Sequence, residues 1–286
     1  MKDNRRQEGA ATRAIDAESI SSYLDAHDDF DLELFAQREL TLNGWSSHQG
    51  GTYKDGVTGK YRQYDVRAIK NFAMDTYISM AVECKSLSPE NPLIISRVPR
   101  PDYDCYHHVT ECTDYDDLPE TVTFLVKKAQ NHLSVYAPGE MVGKATSQLR
   151  WEKGGDKLIS SDNETYEKWS QAIASAADSL TDVRTFSGGG LARTFWMPIL
   201  LVSNETLWVV DYDKEGRRSA PRREDSATLF VGREYSVAPA ITVDFTHLHV
   251  YTRIGFKQML ADLRSQKSNI WHKLFGFLFI PEAKFS

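Results

Sequence analysis

At 286 residues, 41% of them hydrophobic, the chain is long enough for one large globular domain or one domain with a sizeable insertion. Its 34 Lys and Arg stand against 40 Asp and Glu, a net charge of −6. That balance excludes a mainly electrostatic nucleic-acid coat and leaves room for a local basic groove.

Three cysteines (Cys84, Cys105 and Cys112) cannot build a disulfide framework. The opening residues are polar, and no apolar stretch is long enough to span a bilayer. The expected setting is therefore reducing and cytoplasmic, with no membrane partner. Residues 1–14 have the composition of a flexible tail, and 15–286 are expected to form a single domain.

A short helix is expected over about 15–26, and a better one over about 29–43, closed by Asn43-Gly44. Three extended stretches follow: "WSSHQGGTY", "YRQYDVRAI" and "TYISMAVECK". Between the first two, "KDGVTGK" has the glycines of a hairpin turn. Residues 86–118, with several prolines and an acidic run, read as irregular. Helices are expected at about 119–132, 140–151 and 163–180. In the last of these, Trp169, Ile173, Ala176, Ala177 and Leu180 mark an apolar side. The region 86–160 thus reads as an insertion.

"SGGG" breaks the chain at 187–190. Two buried strands, "TFWMPILLVS" and "TLWVVDYD", precede a polar loop and a return strand, "ITVDFTHLHVYT". A helix near 254–266 and an aromatic tail close the chain. The tail is expected to join the core, with a homodimer left open. The fold class expected is α/β, a mixed central sheet flanked by helices.

The chemistry concentrates on two strands. Ile78, Met80, Val82 and Cys84 alternate with Tyr77, Ser79, Ala81, Glu83 and Lys85, so Glu83 and Lys85 project together from one face. On the preceding strand Asp65 lies on the polar face beside Gln63 and Arg67. If the strands pair antiparallel, Asp65 and Glu83 converge. Two hard oxygen ligands with open positions suit Mg²⁺ or Mn²⁺, and a lysine two residues on can orient a metal-bound water. Ion pairing with Arg62, Arg67 or Lys85 on a solvated face would account for the same residues, and wins for an isolated Asp…Glu-x-Lys.

The stretch from about 30 to 88 resembles the PD-(D/E)xK nuclease superfamily, the restriction-endonuclease-like fold, in its Mrr-like and uncharacterised bacterial branches. "FDLELFAQRELTLNGW" is similar to the first helix, "TYKDGVTGKYRQYDVRAI" to the hairpin and "AVECKS" to the Glu-x-Lys strand. The resemblance implies that Asp65, Glu83 and the backbone carbonyl of Cys84 bind the divalent ion. It further implies that Lys85 positions the attacking water and that Glu33 contacts the metal through water. Gln63 and Tyr64 depart from the Glu-Ile that relatives often carry before the aspartate. On a helical wheel Glu39 falls inside the apolar arc and Glu33 on its rim, so Glu33 is preferred and Glu39 is the alternative.

The expected activity is Mg²⁺-dependent hydrolysis of phosphodiester bonds, with DNA as partner, in a bacterial defence or repair setting. An RNA-directed nuclease and a nucleic-acid-binding or assembly module with a decayed site are the alternatives. Arg217, Arg218, Arg222 and Arg223 group in one loop and are candidates for gripping DNA phosphates, although a solvated hairpin tip explains them as well. Cys105, His107, His108 and Cys112 lack zinc-site spacing. His247 and His249 read as hydrogen-bonded strand residues.

Overall fold

Short-range alternation dominates the N-terminal third, and there it gives an antiparallel meander. A computed structural model describes residues 15–27, 29–56, 58–73, 75–114, 122–152, 154–160, 163–180, 190–238, 241–265 and 270–279. Helices α1 (Ala17–His27) and α2 (Phe30–Leu42) lead into strands β1 (Ser46–Lys54), β2 (Tyr61–Ala73) and β3 (Thr76–Lys85). Five strands follow: β4 (Leu93–Pro99), β5 (Tyr106–Asp114), β6 (Val122–Gln130), β7 (Met141–Trp151) and β8 (Leu158–Ser160). Helix α3 (Asn163–Ser179) precedes β9 (Gly190–Val202), β10 (Leu207–Asp211), β11 (Arg222–Arg223), β12 (Ser226–Ala238) and β13 (Ile241–Thr252). Helices α4 (Arg253–Ser265) and α5 (Ile270–Phe275) complete the chain described. The expected N-terminal tail lies outside the described residues, as does all of the "SGGG" break except Gly190.

The result is an α/β fold built on a large mixed sheet, in the order β1-β2-β3-β9-β13-β12-β7-β4-β10-β11. β1, β2 and β3 pair antiparallel, whereas β3, β9 and β13 run parallel. On one face, Ile78, Met80, Val82 and Cys84 of β3 pack on α2, α4 and the C-terminal segment through Leu32, Leu40, Phe256 and Phe275. On the other, Ala81 of β3 and Trp196 of β9 meet Ile173 and Ala176 of α3 and Leu180 just after it. Covering on both faces is the environment that parallel strands require. Each fully buried Ile or Leu contributes about 1.5–3 kcal/mol, so this apolar stripe fixes α3 over β3.

The far half of the sheet adds to the core on the α3 side. Leu93 and Ile95 of β4 and Leu207 and Val209 of β10 join Leu200, Val202, Leu248, Val250 and Ala172 in one cluster. Gly143 of β7 is registered opposite Leu229 of β12. A Cβ at Gly143 would stand 2.6 Å from Ile95 Cγ2, so the close approach requires glycine.

Several expectations are corrected. Residues 86–118, expected to be irregular, contain β4 and β5, and the described part of 119–132 and 140–151, expected to be helical, forms β6 and β7. Within 86–160, β4, β5, β6 and β7 are therefore strands of the sheet. Pairing with β5 and β4 overrides a weak helical periodicity in segments that carry Val122, Thr123, Val126, Val142 and Thr146. The loop expected before β13 contains β12, whose register shift between Phe230 and Arg233 interrupts the period-two pattern. The described part of the aromatic tail joins the core, with Leu274 and Phe275 buried.

Candidate functional site

Strand register brings the two acids together. Val66 of β2 stands opposite Val82 of β3, and both face the α2 side of the sheet. One residue along, Asp65 and Glu83 turn to the α3 side; Asp65 is 9% exposed and Glu83 is fully buried. The Cys84 backbone N–H donates to Asp65 Oδ2 at 2.7 Å, which fixes that carboxylate against the end of β3. The Cys84 thiol itself is buried in the opposite core. Lys85 lies two residues after Glu83 on the same side of β3 and is partly buried.

Across from this pair, β1 carries Gly50 between the registered positions Gln49 and Gly51. Gly50 adopts φ +64°, and a Cβ there would meet nothing within 4 Å. Space is thus open beside the β1 backbone at this point.

α2 and α3 complete the surroundings. Lys168 of α3 donates to Asp65 Oδ2 at 3.0 Å and lies 3.9 Å from Glu83 Oε2 and 3.8 Å from Asp29 Oδ2. Asp29, just before α2, accepts the Ser86 N–H, tying the start of that helix to the exit of β3. Glu33, one turn into α2, accepts from Gln49 Nε2 at 3.1 Å. Burial raises its pKa first, the Gln49 hydrogen bond opposes, and the Asp65 charge raises it further. Glu39, the alternative helix acid, pairs instead with Arg38 and, at 3.6 Å, with Lys257.

Glu83 is the least comfortable group. Neither of its carboxylate oxygens has a hydrogen-bond partner. Burial first and the neighbouring Asp65 charge second push its pKa well above the usual carboxylate range, against the pull of Lys168. For Lys168 the signs are reversed. Burial favours its neutral form, but Asp65 and Glu83 together outweigh that and hold the ammonium charged. Buried polar atoms are rarely left without a hydrogen bond, and two buried carboxylates side by side make a place for a cation.

Among the described residues, no three His, Cys, Asp or Glu side chains are grouped closely enough to form a ready-made metal cage. Mg²⁺ does not need one. It uses one or two carboxylates and keeps several waters, so the donor set of Asp65 and Glu83 fits a hard divalent ion.

Sequence reasoning missed Lys168, Asp29 and Gln49. Lys168 heads a stripe with Ala172, Ser175 and Ser179, all three buried, and a lysine in line with such a stripe must find a buried charge. α3 is held in register by Arg67 Nε donating to Ser175 Oγ at 3.0 Å and by the Arg67–Asp178 ion pair, also 3.0 Å. The loop arginines are not brought to the acids. Arg217 pairs with Asp213 at 2.6 Å, Arg222 with Asp211 at 2.7 Å, and Arg223 with Glu205 at 3.5 Å, while Arg218 bridges to the Tyr212 backbone.

Beside α3 opens a cleft of about 400 Å³, whose lining includes Arg62, Tyr166, Gln171, Arg233 and Tyr235. Tyr166 is half exposed, and Arg233 donates to its hydroxyl at 2.8 Å. Comparison with known proteins found no matching family model, no matching curated protein and no matching solved structure.

Proposed function

We propose that the chain is a divalent-metal-dependent nuclease with a restriction-endonuclease-like core, acting first on DNA. The observation that carries this reading is the pair of acids buried side by side on adjacent strands, with neither Glu83 oxygen in a hydrogen bond. The order of helix, antiparallel hairpin and Glu-x-Lys strand, covered by a later helix, is the arrangement that such a site needs. In this reading Asp65, Glu83 and the Cys84 carbonyl hold Mg²⁺, or Mn²⁺ in its place. When bound, the ion supplies charge neutralisation at a phosphate oxygen and favours hydroxide at neutral pH.

The protein's own groups do the rest. Asp65, fixed by the Cys84 N–H, keeps one carboxylate oxygen in a constant position. Lys85 orients the attacking water, and Glu33 reaches the same region from the helix rim. Tyr166 and Arg233 in the neighbouring cleft have the aromatic and cationic character that unstacked nucleotides bind.

Incubation with plasmid DNA, single-stranded DNA and RNA, with Mg²⁺, Mn²⁺ or excess chelator, tests this. Cleavage is expected with either ion and not with chelator. Asp65→Ala, Glu83→Ala and Lys85→Ala are each expected to lower it by at least about 10²-fold, the scale of losing one electrostatic contributor. Undiminished cleavage by Lys85→Ala, or cleavage that survives chelation, refutes the mechanism. A faster reaction on RNA overturns the DNA assignment alone. The ion pairing of Asp65 with Lys168 favours a second reading, a binding module. Its signature is metal-independent DNA affinity with no cleavage.

A further inference from the structure

The position of Lys168 bears on how an ion would enter. Its ammonium stands 3.0 Å from Asp65 Oδ2 and 3.9 Å from Glu83 Oε2, with a third carboxylate oxygen, from Asp29, at 3.8 Å. Mg²⁺ binds carboxylate oxygens at about 2.0–2.1 Å. An ion shared by Asp65 and Glu83 would therefore lie within the space that the ammonium now controls. Two cations so close in a buried pocket repel strongly. Asp65 Oδ2 is also already engaged twice, by Lys168 and by the Cys84 N–H.

The backbone of Lys168 cannot easily retreat. α3 is pinned by the buried side chains of Ile173 and Ala176. It is also pinned by the Thr165 hydroxyl donating to Gln148 Oε1 at 2.7 Å and the Tyr53 hydroxyl donating to the Gln171 carbonyl at 3.3 Å. The side chain can retreat, because a lysine has four rotatable methylenes and this one keeps 21% of its surface in solvent.

We propose that Lys168 is a resident counter-cation of the acid pair, which a divalent ion must displace. In the ion-free chain it holds Asp65 and Glu83 together and offsets their burial. When an ion arrives, the ammonium swings toward solvent, and the cost of that exchange weakens the site's affinity for the ion. Lys168 is thus a positioning residue that sets a threshold of ion concentration. This inference rests on the assignment of Asp65 and Glu83 as the ion-binding pair.

The test is Mn²⁺ titration of the full chain without nucleic acid, with free Mn²⁺ counted by electron paramagnetic resonance. The native chain is compared with Lys168→Met, which keeps the aliphatic stem, Lys168→Gln, which keeps polarity, and Lys168→Arg, which keeps the charge. Lys168→Met and Lys168→Gln are expected to bind Mn²⁺ at least tenfold more tightly than the native chain, and Lys168→Arg about as the native chain does. The two neutral variants should melt below the native chain in chelator and gain more from saturating Mn²⁺. Equal or weaker Mn²⁺ binding by whichever neutral variants fold overturns the inference, since the lysine would then assist the ion. Absence of Mn²⁺ binding in all the chains overturns both the inference and the ion assignment. Tighter binding by the neutral variants, with no cleavage of any nucleic acid, leaves the exchange standing and removes the nuclease reading.

Discussion

Replacing Glu83 by glutamine should make the ion-free protein more stable, the opposite of what most changes at a fully buried position do. The native carboxylate has no hydrogen-bond partner for either oxygen. Leaving a buried polar group unsatisfied costs about 1–3 kcal/mol. Glutamine has nearly the same shape, carries no charge and can donate its amide to Asp65. The expected gain is therefore about 1–3 kcal/mol at neutral pH.

Unfolding entropy is about 2.1 cal/mol/K per residue, or about 0.6 kcal/mol/K for this chain, so Tm should rise by about 2–5 °C. The sign with pH follows from the raised pKa of Glu83. Below the unfolded value near 4.5 both states are protonated, and the charge costs nothing. As pH rises above that value, the folded native chain loses stability relative to the glutamine variant, so the gap opens upward from pH 4.5. Calorimetry in chelator from pH 4 to pH 8 reads this directly. In excess Mg²⁺ the native chain should recover and the variant should not, the trade of stability for function expected at an active site. A variant that melts below the native chain in chelator shows that Glu83 is a structural partner, and the reasoning fails.

The neutral His107 ring should make the protein acid-labile. With its Nε2–H donating to the Leu274 carbonyl at 2.9 Å, its Nδ1 is left to accept from the Val135 N–H and lies 3.1 Å from the Ser134 hydroxyl, an arrangement that suits the neutral ring. Burial lowers its pKa to about 4, against the pull of that carbonyl. Stability should fall by about 3 kcal/mol as pH drops from 6.5 toward 4, and urea titrations of His107→Gln should show a smaller fall; an unchanged one refutes the assignment. Gly143→Ala should destabilise by about 1–3 kcal/mol by pressing on Ile95, and Ile95→Ala in the same chain should relieve part of that loss. Additive losses in denaturant unfolding would show that the contact is not the cause.

How much was legible in the sequence depended on the range of the interaction involved. Asp65, Glu83 and Lys85 could be placed because period-two alternation and a short hairpin fix their faces locally, and register then followed. The helical wheel placed Glu33 on the rim, where it meets Gln49, and Glu39 inward, where Arg38 and Lys257 neutralise it. Lys168 was not legible, because its acid partners come from β2 and β3, far away along the chain, and only the packing of α3 brings them together. β6 and β7 were misread for the same reason: their partners, not their own periodicity, decide their conformation.

The position of β3 has a consequence for assembly. Its antiparallel neighbour β2 is adjacent in sequence, but its parallel neighbour β9 begins only at Gly190, and the helices that seal the same core begin at Arg253 and Ile270. Closing such long loops is slow, and parallel pairing of distant segments exposes strand edges while the chain waits. During synthesis, α2 can pack on one face of the meander as it emerges, but the face bearing Asp65 and Glu83 waits for α3. Until α3 and β9 arrive, the acids remain hydrated and unassembled. A phosphodiester-cleaving activity would then switch on late, as a property of the finished sheet rather than of the segment that carries its motif.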